Sequence, residues 1–117
     1  MTPLLIAVAG GMGAASRLVV DGLVRHRVPS TLPWATVLIN VTGSFLLGLL
    51  VGAGAGDRWL DVLGVGFLGG YTTFSTASLE TAGLLLDRRP MAAVANGLGA
   101  LVACVAAASG GYALGAL

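Results

Sequence analysis

The stretch GFLGGYTTFSTASLE, residues 66–80, lies inside a long apolar run yet is dense in hydroxyl side chains and ends in Glu80. Gly69 and Gly70 are flexible, and Thr72 and Thr73 are β-branched, so the segment around them is poor helix. It falls at the depth expected for the centre of a bilayer, and a break in the helix is predicted there. Unwound backbone at that depth persists only where protein or an ion satisfies its carbonyls, and such carbonyls suit a hard cation such as sodium. Beyond the break, Phe74 offers a ring whose positive edge can face an anion in a narrow dry passage, and Ser75 and Thr76 add hydroxyls. Phe74 read by itself is first a packing residue.

The rest of the chain supports a membrane setting. Of 117 residues, 56% are hydrophobic and 9% charged, with six arginines, five carboxylates and no lysine. Such a set cannot coat a water-soluble globule. A net charge of +1 and scattered arginines leave no footprint for nucleic acid. Cys104, the single cysteine, can form no intramolecular disulfide and reads as a small core residue. The first apolar segment lacks a basic leader and is interrupted by Arg17 and Asp21, so it reads as a retained helix, and neither end carries a lipidation motif.

About 20 helical residues cross a bilayer, and four charge-poor stretches qualify: about 3–24, 33–54, 60–86 and 91–116. These make residues 1–117 a single four-helix transmembrane domain of all-α class. The three connections are short, and the first contains Pro29. None can hold a soluble catalytic domain, so function is expected inside the bilayer. Arg25, Arg27, Arg88 and Arg89 share one side and Arg58 lies on the other, which predicts cytoplasmic first and third connections and outside termini.

Glycine occurs 19 times, against about 8 in an average composition. Gly10 with Ala14, Gly48 with Gly52, Gly66 with Gly70, and Gly111 with Gly115 have the spacing that lets helix backbones approach closely. So little interior in one chain favours an oligomer.

Ionisable groups in a span cost about 2.5 to 3.5 kcal/mol each, so each needs a partner or a task. Arg17 and Asp21 can pair at i, i+4, or Arg17 can attract anions at an aqueous vestibule. Glu80 can pair with Arg17, cap backbone amides, or serve an ion path. Asp61 is expected to be solvated at a span end, and His26 in a loop. Thr36, Asn40 and Ser44 recur every four residues and share one helix face. Asn40 can bond across a helix interface, and its amide also supplies donors for a desolvated anion. Asn96, Ala100 and Cys104 form a similar row in the fourth span. There is no metal-ligand cluster, no nucleophile with a base and no P-loop, so an enzyme is not expected.

Three motifs, GGMGAASR at residues 10–17, INVTGSFLLG at residues 39–48 and GFLGGYTTFSTASLE at residues 66–80, resemble the CrcB/Fluc family of fluoride channels in order and spacing. The fourth span matches only in hydropathy and in its GYALG end. The resemblance implies an antiparallel, dual-topology type of dimer of four-helix subunits in the cell inner (plasma) membrane, with fluoride pathways at the subunit interface. A structural sodium ion would be held by the Gly69 and Thr72 carbonyls of each chain. Asn40, Phe74, Ser75 and Thr76 would line the fluoride pathway, and Arg17 and Glu80 match the family's arginine and glutamate. The implied role is passive export of fluoride that enters as HF.

Two departures stand out. The usual FSTFS is FSTAS, placing Ala77 where a second pathway phenylalanine is expected, and Asn96 and Ala100 replace a tyrosine and a serine. Together with the loop-charge bias, these favour a heterodimer with a homologous subunit over a homodimer. Two rivals follow: a non-conducting structural subunit, opposed by intact Asn40 and Phe74, and a small multidrug-type proton-coupled exporter. The exporter would need an embedded carboxylate in its first helix, and Asp21 lies too near the helix end.

Overall fold

The computed structural model describes residues 1–28 and 32–117, and every regular element in it is helical. Pro29 lies outside the described residues. Helix α1 spans Thr2–Arg27, α2 Trp34–Gly52 and α6 Pro90–Gly115. Each is long and apolar enough to cross a membrane. Pro3 and Pro90 stand in the first turns of α1 and α6, where a missing N–H costs nothing. Arg25, His26 and Arg27 occupy the last turn of α1, where they oppose the negative end of the helix dipole. His26 is therefore exposed on a helix end and not in a loop.

The third apolar segment is composite. A turn of helix, α3 (Asp57–Trp59), runs into a π-helical stretch, Leu60–Leu68, and a further turn, α4 (Gly69–Tyr71). The chain then opens, with Thr72 extended at φ −80°, ψ 161°, before α5 resumes over Ser75–Leu86. The expected break exists within the stretch 69–73, at its threonines and not at its glycines. Gly69 keeps helical angles, φ −62° and ψ −37°. Gly70 is used for proximity, because a Cβ there would collide with the Gly10 carbonyl of α1. The glycines dock the segment, and the threonines open it.

Two seams join the elements. Along α2 and α6, Cβ atoms at Gly48 and Gly52 would strike the Ala108 and Tyr112 carbonyls, and those at Gly111 and Gly115 would strike the Phe45 and Leu49 carbonyls. Along α1 and the composite segment, a Cβ at Gly66 would lie 2.9 Å from the Ile6 carbonyl, and one at Gly13 would clash with Phe67. Both seams are backbone against backbone, the arrangement small residues allow in a membrane. Between them sits a small core of Ile39, Leu68 and Tyr71, flanked by Val20, Leu50 and Phe67. Leu98, Leu101, Val102 and Val105 of α6 and Leu18 and Val19 of α1 are all exposed. So much outward apolar surface is a surface for lipid or another chain, and not for water.

Candidate functional site

The break is held from α2. Asn40 Nδ2 donates to the Thr73 carbonyl at 2.9 Å, and its Oδ1 accepts from the Thr73 N–H at 2.9 Å. One side chain thus satisfies both backbone groups of the residue in the middle of the opening, which would otherwise cost about 1 to 3 kcal/mol each if buried and unpaired. Gly43, one turn on, leaves room for Thr72, since a Cβ at 43 would collide with Thr72 Cγ2. Tyr71, buried, forms a 2.9 Å hydrogen bond between its hydroxyl and that of Thr42. Three consecutive positions, 71 to 73, are therefore pinned to α2 by three different means.

These bonds redirect the helical ladder. The Thr73 N–H, which a continuing helix gives to the Gly69 carbonyl, goes to Asn40. The Thr76 N–H, whose helical acceptor is the Thr72 carbonyl, goes to Thr73 Oγ1 at 3.1 Å and caps α5. The carbonyls of Gly69 and Thr72 both lose their ordinary donors. Those are the two positions to which the family resemblance assigns sodium ligands. Among the described residues no group of His, Cys, Asp or Glu side chains could hold a metal.

A cleft of about 770 Å³ opens beside the break. Thr36, Asn40 and Ser44 line it from α2, so the polar row read from spacing does share one wall. Gly69 contributes from α4, and Thr72, Thr73 and Phe74 from the break. Ser75 and Thr76 are not in its wall; Ser75 is exposed elsewhere and Thr76 is half-buried. Phe74 is 86% exposed, an unusual posture for a phenyl ring at a helix junction unless another surface meets it. Ala77 and Ala100 face the same cleft, as does Cys104, half-buried in the cleft wall and not in a core. Asn96 enters the cleft too and donates to Thr81 Oγ1 at 2.8 Å.

The charges pair differently from the expectation. Asp21 is bound by Arg25, Nε to Oδ1 2.9 Å, and not by Arg17. An acid four residues before a base suits the helix dipole better than the reverse order. Glu80 likewise meets Arg25, 3.3 Å from Nη2, and also accepts a hydrogen bond from Thr36 Oγ1, in place of Arg17 or a backbone amide. Arg17 is left with a buried Nε that has no hydrogen-bond partner. Asp61 is exposed, as expected. Arg25 was legible only as a loop charge; its spacing from Asp21 was the available signal.

Comparison with known proteins adds the family. Residues 4–112 match the model of the CrcB-like protein family, Camphor Resistance (CrcB). Over its whole length the chain is 48% identical to a protein of Leifsonia xyli named fluoride-specific ion channel FluC 1, covering 90% of that relative. It is 41% identical to FluC 2 of Cutibacterium acnes, with 98% of each chain covered, and 40% identical to FluC 2 of Rhodococcus jostii. These relatives are named as channels, not enzymes.

Proposed function

The chain belongs to the CrcB-like family of multi-pass membrane proteins, and on that premise we propose that it is a subunit of a fluoride-specific channel. The observation that carries this reading is the break at residues 72–74, clamped by Asn40 beside an exposed phenylalanine in an apolar chain. In this reading α1, α2, the composite segment and α6 make four spans of one domain. Two such subunits pair antiparallel in the plasma membrane. The cleft and the exposed Phe74 ring face the partner, and fluoride passes between them.

Asn40 uses one N–H on Thr73, and its amide has a second to offer. An anion entering the cleft would find that donor, the edge of the Phe74 ring and, across the subunit junction, the hydroxyls of Ser75 and Thr76. Fluoride gives up its water only where such groups replace it, and a dry narrow passage makes each of them stronger. The carbonyls of Gly69 and Thr72, freed by the diverted ladder, fit a sodium ion shared between subunits, which would supply fixed positive charge near the path. Arg17, with its unpartnered Nε, suits the vestibule. The direction of flow follows the gradient, so fluoride that enters as HF and ionises in the cytoplasm leaves passively.

A second reading is favoured by one observation: Ala77 and Ala100 stand together in the cleft wall beside Phe74. A subunit lacking a ring and a hydroxyl there is suited to a heterodimer whose homologous partner supplies them, and this chain then conducts weakly or serves as support. Fluoride efflux from liposomes holding the purified chain alone, followed with a fluoride electrode against a chloride control, separates the cases. Selective fluoride efflux is expected from a self-sufficient homodimer. No efflux from folded protein, restored by adding a homologous subunit, supports the heterodimer, and equal chloride efflux would sink the fluoride reading.

A further inference from the structure

Arg17, Asp21 and Arg25 form one i, i+4 row on α1, and Glu80 of α5 reaches the end of that row through Arg25. The four groups sum to zero charge. Arg25 is shared: Nε holds Asp21 and Nη2 holds Glu80. Glu80 in turn divides its carboxylate, Oε2 to Arg25 and Oε1 to the hydroxyl of Thr36, which is buried and lines the cleft. A chain of contacts thus runs from an exposed guanidinium at the end of α1 into the wall of the proposed anion path. The helix packed on the other side of α5, α6, has no charged residue, so Arg25 is the cation that faces Glu80.

An ionised carboxylate one hydrogen bond from an anion path repels its cargo unless a cation cancels it. Resting on the channel reading above, we propose that Arg25 is a positioning residue for conduction. It neutralises Glu80 and turns its Oε1 toward Thr36, keeping the mouth of the path open to fluoride. Partly exposed pairs of this kind add little to stability, and here Arg25 is 54% and Glu80 21% exposed. Their field on a passing ion is a separate quantity, and rate is where it shows.

The test is a cycle of fluoride efflux rates in liposomes, run in whichever dimer conducts. Arg25→Gln should slow efflux about tenfold, Arg25→Lys should restore most of it, and Arg25→Gln should change nothing further once Glu80 is glutamine. An equal loss from Arg25→Gln in both backgrounds, or no loss at all, overturns the proposal. A second measurement does not depend on flux. With Cys104→Ala and Glu80→Cys, the ratio of reaction rates with an anionic and a cationic methanethiosulfonate should fall about tenfold on adding Arg25→Gln. An unchanged ratio shows that Arg25 does not set the potential at position 80. Absence of fluoride flux from every wild-type dimer sinks the channel reading instead, leaving this electrostatic readout to be judged alone.

Discussion

The seam between α2 and α6 and the opening at residues 72–74 solve the same problem, bringing backbones together in an apolar medium, in opposite ways. In the seam, glycines remove side chains so that intact helices touch carbonyl to Cα. At the opening the helix is given up, and one side chain from α2, Asn40, takes up the backbone groups of Thr73. The seam needs only absence of bulk, but strictly: at Gly48, Gly52, Gly111 and Gly115 even one Cβ would strike a carbonyl. The opening needs a particular amide at a particular register, and that requirement places carbonyls and a ring where an ion could use them.

The largest effect should come from removing the clamp. Asn40→Ala leaves the Thr73 N–H and carbonyl without partners, costing about 3 kcal/mol for the two groups together. Asn40→Asp keeps the shape but sets an oxygen against the Thr73 carbonyl. Both should lower the thermal midpoint in detergent and cut fluoride efflux by more than tenfold. If Asn40→Ala folds as stably as the parent, the opening does not depend on α2, and the contrast with the seam is lost.

The difference also explains what could be read from the chain before its fold. Small-xxx-small spacing is a local pattern, and Gly48, Gly52, Gly66, Gly70, Gly111 and Gly115 all sit where backbones meet. The row Thr36, Asn40, Ser44 is equally local and does share the cleft wall. Partners across helices are not local. Nothing in the sequence says that Asn40 is 33 positions from the backbone it clamps, or that Glu80 turns to Arg25 and not to Arg17. Within the poor-helix stretch 69–73 the sequence does not say which residues open, because flexibility and close approach call for the same residue, and only the packing of Gly70 against Gly10 tells them apart.

A smaller effect is expected in the seam. Gly111→Val places atoms against the Phe45 carbonyl and the Leu49 N–H, 3.0 Å from an added Cβ, so α2 and α6 must part. Overpacking of this kind costs about 1 to 3 kcal/mol. Chemical denaturation should report about 2 kcal/mol of lost stability, with fluoride efflux per folded protein reduced less than in Asn40→Ala. If efflux falls as far as with the clamp variant, the seam sets the path geometry as well, and the two regions are not separable.

The smallest effect falls outside both regions and tests the backbone-only logic of the seam in a turn. Helix α2 ends with Gly54 at φ 73°, its N–H bonded to Val51 and the next one to Leu50. Helix α5 ends in the same pattern, Arg88 to Leu85 and Arg89 to Leu84, but Arg88 occupies the left-handed position at φ 59°. Such a closure favours glycine, and a residue with a Cβ pays about 1 kcal/mol for it. Arg88→Gly should therefore raise stability by up to about 1 kcal/mol, a shift of a few degrees in the thermal midpoint. It also removes one of the arginines that favour a cytoplasmic third connection, so reporter fusions on the Arg88 variant should show a more even mixture of orientations. Stability gained together with orientation lost would mean that Arg88 is retained for topology against the preference of its own turn; stability lost would mean that its side chain contributes more to that turn than its backbone angle costs.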